Sequence, residues 1–141
     1  MDAQKGALAG VRVLDLTRVL AGPYSTMILS DMGAEVIKIE QPEKGDDTRH
    51  LGPFVHGESL YYMTNNRNKY GVTLNLKASE GKEIFKELVK KSDLVIENYR
   101  PGTMEKLGLG YDILKEVNPR IIYGSISGFG HSGRYEQRPG Y

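Results

Sequence analysis

The sequence predicts an α/β fold with a mainly parallel sheet flanked by helices. Three observations predict it. Short apolar, branched runs such as "VRVLDL" and "EVIKIE" read as buried strands. Between them lie segments of helical periodicity such as "SEGKEIFKELVKKS". Strand and helix alternate along the chain, which favours right-handed crossovers and parallel pairing. At 141 residues the chain is long enough for one domain with a real core.

The elements follow in order. "VRVLDL" (Val11 to Leu16) is the first strand. Gly22 and Pro23 break it, and a helix is expected from Tyr24 or Ser25, with Ser25 as its cap and Gly33 as its stop. "EVIKIE" (Glu35 to Glu40) is the second strand. Gln41 to His56 is polar and punctuated by proline and glycine, so it reads as a long loop, a kind that is often functional. "SLYYMTNNRNK" is ambiguous and admits a short helix. "GVTLNLK" places Val72, Leu74 and Leu76 on one side of a half-buried strand. The next helix puts Ile84, Phe85, Leu88 and Val89 on one face, with Ser79 as its cap. "DLVIE" is the fourth strand, and short helices near Thr103–Leu107 and Tyr111–Val117 precede "RIIYGSIS", the fifth. A glycine-rich loop, "GFGHSGRYEQRPGY", ends the chain. The whole is a Rossmann-like pattern.

Composition excludes several classes. The net charge of +1 argues against binding nucleic acid through a broad basic field. With no cysteine there is no disulfide framework and no thiolate chemistry. The three histidines, His50, His56 and His131, lack metal-ligand spacing, so no metal is expected. No apolar run is long enough to span a membrane, and "MDAQKGALAG" lacks a signal-peptide apolar segment. A cytoplasmic protein is expected.

In such sheets ligands sit outside the carboxyl ends of the strands. Glu40 ends the second strand about 20–25 residues on from the first turn, the place of an acidic ribose partner. Yet Gly22-Pro23 cannot supply the G-x-G-x-x-G approach of a dinucleotide site, and a solvated strand end is an equal reading. In "GDDTR" the acidic pair reads as a turn held by local hydrogen bonds rather than a metal site, and Arg49 as a residue that pins the loop. Arg67, Lys69, Lys77, Arg100 and Lys106 bring positive charge towards one sheet edge, which points to a phosphorylated ligand. Tyr99 suits either stacking on an adenine or capping the core. "GFGHSG" lacks the lysine and hydroxyl of a P-loop and reads as a lid or a close approach to ligand. His131 within it reads as solvated and non-catalytic.

Taken together, "GVRVLDLTRVLAGPYSTMILSDMGAEVIKIEQPEKGDDTR", "SLYYMTNNRNK", "LNLK", "DLVIENYRPGTMEKLGLGYDILKEVNPRIIYGSISGFG" and "RPGY" resemble the opening of the family III CoA-transferases. This group includes formyl-CoA transferase and carnitine CoA-transferase, and α-methylacyl-CoA racemase is a relative. The resemblance runs from Gly10 to the end of the chain. It implies that residues 1–141 are an N-terminal CoA-binding α/β domain, a fragment of a longer two-domain enzyme whose two chains interlock as a homodimer. CoA or acyl-CoA is then substrate rather than a tightly bound cofactor, and a small carboxylic acid is the other partner.

The positions the resemblance assigns to CoA are Val19 and Ala21, Gln41, Leu74 and Lys77, Asn98, Tyr99 and Arg100, and Lys106. Lys77, Arg100 and Lys106 are its candidates for phosphate. Gln41 and Lys106 stand where family members often carry arginine, and lysine grips phosphate as a point charge without a planar fork. The resemblance also implies an aspartate nucleophile that lies beyond Tyr141, so no catalytic residue is expected in this chain. In the implied reaction that carboxylate attacks an acyl-CoA thioester, giving a mixed anhydride and CoA thiolate. The thiolate then attacks the enzyme carbonyl of that anhydride, releasing the donor acid and leaving an aspartyl-CoA thioester, and the incoming acid takes CoA from it. Two alternatives stand beside this reading: a fragment of a 2-methylacyl-CoA racemase, and a non-catalytic CoA-binding module. The racemase branch resembles G-H-D where this chain has Gly140-Tyr141, and tyrosine is poorly matched as a base near neutral pH, which favours the transferase.

Overall fold

The structure, a computed structural model, describes residues 6–140. β1 (Arg12–Asp15) leads into α1 (Ala21–Asp31) and β2 (Glu35–Glu40). A 3-10 turn (Asp47–His50) and a small hairpin, β3 (Phe54–Val55) with β4 (Glu58–Ser59), precede α2 (Leu60–Asn66) and β5 (Tyr70–Thr73). Then come α3 (Ser79–Val89), β6 (Leu94–Glu97), α4 (Thr103–Lys106), α5 (Tyr111–Val117) and β7 (Ile122–Ser125). The main sheet runs β5-β2-β1-β6-β7, and every neighbouring pair in it is parallel. The chain therefore builds from β1 in the middle outward to β5, then returns to lay down β6 and β7 on the other side. That reversal opens a crevice between the carboxyl ends of β1 and β6, the place where open α/β sheets bind ligands.

The two sides of the sheet carry separate cores. Leu14, Leu16, Ile39, Val95, Phe85, Val89 and Leu114 form one, and Val13, Ala34, Val36 and Ile96 form the other. Adjacent Val13 and Leu14 are both fully buried, one on each face, as a central parallel strand requires. Each such side chain contributes about 1.5–3 kcal/mol through burial.

The structure corrects several expectations. α1 begins at Ala21, with Leu20 at its cap, rather than at Tyr24 or Ser25. Pro23 falls in the first turn, where its missing N–H needs no partner, and the Tyr24 N–H makes the bond back to the Leu20 carbonyl at 2.8 Å. Ser25 sits inside the helix and donates to the Gly22 carbonyl at 2.7 Å. Gly33, at φ +101°, does follow the helix end. The strand expected through Leu76 stops at Thr73 and is an exposed edge, so Val72 is 37 % exposed. Leu74 is buried and Leu76 partly so, because the chain turns inward past the strand towards α3. On α3 the buried stripe is Gly81, Phe85 and Val89, with Leu88 beside it. Ile84 lies about 100° round the helix from Phe85 and is 52 % exposed. Ser79 does not cap α3; Ala78 holds that position without a side-chain bond. The ambiguous segment is helix α2, capped by Ser59, whose hydroxyl accepts from the Tyr62 N–H at 3.2 Å. Among the described residues no helix is long and apolar enough to cross a membrane.

Candidate functional site

The loop after β1 is built from buried polar groups. Asp15 is fully buried and accepts hydrogen bonds from the Thr17 N–H at 2.9 Å, the Thr26 hydroxyl at 2.6 Å and Lys69 Nζ at 3.0 Å. Burial pushes the Lys69 ammonium down from its ordinary value, and Asp15 opposes the push. Gly22 is needed for close approach: a Cβ there would sit 2.2 Å from Thr17 Cβ. Past Thr17, Asn98 at the end of β6 grips the Arg18 backbone, accepting from its N–H at 2.8 Å and donating to its carbonyl at 2.7 Å. Val19 then adopts φ +69°, a strained conformation for a β-branched residue, and its N–H donates to Asp46 at 3.2 Å.

Asp46 and Glu40 hold the next wall. Lys38 is 1 % exposed, lies 3.0 Å from Asp46 Oδ2 as an ion pair and donates to the Thr17 carbonyl at 2.8 Å. Asp46 also accepts from the Thr48 N–H and hydroxyl, which makes "GDDTR" the locally bonded turn the sequence suggests. Burial pushes its carboxyl up, but the Lys38 charge and the Thr48 bonds outweigh it, and the net direction is down. Glu40 is neither a solvated strand end nor free for a ribose. It is 7 % exposed, takes Arg49 at 2.8 and 2.7 Å through two oxygens, and accepts from the Tyr62 hydroxyl at 2.8 Å and the Asp46 N–H at 2.7 Å. Burial raises this carboxyl too, and Arg49, Tyr62 and the Asp46 N–H more than offset it. Arg49 pins the loop, as its sequence context suggests.

Between these walls and the start of α4 lies a cleft of about 490 Å³. Ile39, Leu74, Leu76 and Leu107 give it apolar sides; Arg18 and Lys77 bring positive charge, and of the carboxylates Glu40, Glu43 and Asp46 that also line it, Glu40 is paired with Arg49 and Asp46 with Lys38. Of the residues the resemblance assigns to CoA, Gln41, Leu74, Lys77 and Tyr99 line it, as does Glu40. Val19, Ala21, Asn98, Arg100 and Lys106 are not among its lining residues. Val19 and Asn98 instead fix the adjoining loop. Tyr99 packs partly buried against the core, and the Arg18 guanidinium lies 5.4 Å from its ring centroid. Burial pushes the Tyr99 hydroxyl above its usual range. Arg18 was not marked by sequence reasoning; its place directly after a buried strand end was the available signal.

His131 is exposed, as expected, but it is not without partners. Its Nε2 lies 2.6 Å from the Ser125 hydroxyl, which donates to the buried carboxylate of Glu97. The other oxygen of Glu97 accepts from the Tyr99 N–H at 2.7 Å, tying the glycine-rich tail to the cleft wall. Among the described residues no group of three His, Cys, Asp or Glu side chains is placed to hold a metal ion. Tyr141, which bears on the choice between transferase and racemase, lies outside the described residues.

Comparison with known proteins adds to this geometry. The family model described as CoA-transferase family III matches residues 8–141. The chain is 54 % identical over 135 residues to the succinyl-CoA:glutarate CoA-transferase of Homo sapiens, covering 95 % of this chain and 31 % of that protein. It is 50 % identical over 137 residues to the acetyl-CoA:oxalate CoA-transferase of Acetobacter aceti, covering 97 % and 35 %. A crystal structure of a CAIB/BAIF family protein from Brucella suis superposes with a TM-score of 0.92 at 46 % identity, over 98 % of this chain and 38 % of that one. The chain thus spans about a third of the length of the curated relatives it matches.

Proposed function

The chain belongs to CoA-transferase family III, and from that premise we propose that it is the CoA-binding portion of an acyl-CoA:carboxylate CoA-transferase. The observation that carries the reading is the cleft. It lies at the carboxyl ends of β2 and β5 and beside the β1–β6 reversal, with apolar sides and two cations but no dinucleotide glycine pattern. CoA bears an adenine, a 3′-phosphate and a pyrophosphate, so it needs a flat apolar slot and positive charge together. Ile39, Leu74 and Leu76 receive the adenine, and Lys77 meets phosphate as a mobile point charge. Arg100 and Lys106, exposed beside α4, meet the pyrophosphate from the rim. Asn98 and Val19 hold the loop that floors the site. The acyl-carrying aspartate belongs to chain beyond Tyr141, and two such full-length chains interlock around the reaction centre. The acid exchanged is a small organic acid.

Calorimetric titration of the 141-residue chain with CoA tests this. Saturable binding of CoA, with NAD failing to compete, is the expected result. Absence of CoA binding, or equal binding of NAD, overturns the reading. No acyl exchange to a free acid is expected from this chain by itself, and robust exchange after repurification would show that the carboxylate lies within residues 1–141.

A further inference from the structure

Arg18 is built for a task that its contacts within the chain do not use. Asn98 clamps its backbone from both sides, and the strained Val19 follows it, so the main chain that carries the side chain is held in place at the wall of the cleft that Arg18 lines. The guanidinium lies over the Tyr99 ring, 5.4 Å from the centroid, which steadies its plane. Among the described residues it donates no hydrogen bond. Its charged neighbour is Asp47, 3.5 Å away, whose side chain is 60 % exposed. Arg49, nearby in sequence to Asp47, is the contrast: Glu40 takes two of its donors and Tyr62 shares one. A guanidinium with free donors, at the wall of a cleft that also holds Lys77 and whose buried carboxylates Glu40 and Asp46 are already paired, matches the fork geometry of a phosphate oxyanion.

We propose that Arg18 is a phosphate-binding residue of this cleft, donating through its guanidinium to a phosphate group of CoA. The inference rests on the CoA reading above. Binding displaces the loose contact with Asp47, so Asp47 acts as a competitor that holds the arginine until ligand arrives.

The test titrates the 141-residue chain, Arg18→Gln and Arg18→Lys with CoA and with dephospho-CoA, at low and high salt. Arg18→Gln should weaken CoA binding by about tenfold or more, as expected for losing a charged hydrogen bond, and should flatten the salt dependence. Arg18→Lys should recover part of the affinity. A loss seen with CoA but not with dephospho-CoA assigns the 3′-phosphate; a loss seen with both assigns the pyrophosphate. Equal affinity of wild type and Arg18→Gln for CoA overturns the assignment and leaves the CoA reading standing, whereas failure of the wild type to bind CoA overturns both. Asp47→Asn, a change at an exposed side chain, guards against misfolding of the arginine variants. It should tighten CoA binding, and unchanged or weaker binding counts against the proposal.

Discussion

Asn98 pairs with Arg18 as though it were one more rung of the sheet. Its side-chain amide donates to the Arg18 carbonyl at 2.7 Å and accepts from the Arg18 N–H at 2.8 Å. β1 and β6 pair from Val13–Leu94 to Asp15–Ile96, and the Leu16 N–H still reaches the Ile96 carbonyl at 2.9 Å. Beyond that point the strands part to open the crevice. A side chain then does what a backbone no longer can, and satisfies the polar groups of a residue that must stand apart from the sheet.

Asn98→Ala removes both bonds and should cost about 1–3 kcal/mol of unfolding free energy, from two net hydrogen bonds in a half-buried setting. Asn98→Asp should cost at least as much, because it sets a carboxylate oxygen against the Arg18 carbonyl. Urea unfolding at neutral pH measures both. A stability for Asn98→Ala within about 0.5 kcal/mol of wild type would show that the clamp is incidental.

Gly22 offers a second test of how the loop is held. Thr17 is 1 % exposed and bonded to Asp15, so it cannot retreat from a Cβ placed 2.2 Å from its own. Gly22→Ala must therefore shift either α1 or the loop. Overpacking of this kind costs about 1–3 kcal/mol, and CoA affinity should fall with it because Arg18 follows Thr17 directly. Thermal unfolding and calorimetry on the same preparation check the two effects. An alanine variant with an unchanged midpoint would mean that the contact relaxes without strain.

Much of this arrangement was legible in the sequence, and what was not has physical causes. "VRVLDL" and "EVIKIE" are buried on both faces, so their apolar runs announce central strands and the α/β class with them. The edge strand β5 has no such constraint, and the period of Val72, Leu74 and Leu76 continued past the point where the chain turns inward. Ser25 offered a capping residue, but Pro23 fits the first turn, so the helix starts earlier. At the site, Lys77 and Tyr99 are legible from their places at strand ends, whereas Leu74 and Gln41 come only from the resemblance. Glu40 was misread because its partners, Arg49 and Tyr62, lie 9 and 22 residues away on other elements. Arg18 was missed for the same reason: its free donors are visible only once Asn98 and Tyr99 are seen around it.

Glu40 gives the pH behaviour. Burial raises its carboxyl, while Arg49, the Tyr62 hydroxyl and the Asp46 N–H pull it below the ordinary carboxylate range of 4.5. A carboxylate held lower in the folded chain than in the unfolded one adds stability above its unfolded value. That stability is lost as pH falls through the folded value. Glu40→Gln keeps the size of the side chain but removes the charge facing Arg49. Breaking a buried pair costs about 3–5 kcal/mol; here the Arg49 side chain is 38 % exposed and water can take up part of its charge, so the cost belongs at or below the lower end of that range. The difference between wild type and Glu40→Gln should be largest at neutral pH and should shrink as pH falls below about 4.5, the ordinary value for glutamate. Asp46 is shifted in the same direction, so both proteins lose stability in acid, and the difference between them isolates Glu40. Urea unfolding at a series of pH values measures it. A difference that stays constant from neutral pH into acid would mean that Glu40 is held by its uncharged contacts and that the Arg49 pair contributes nothing to the fold.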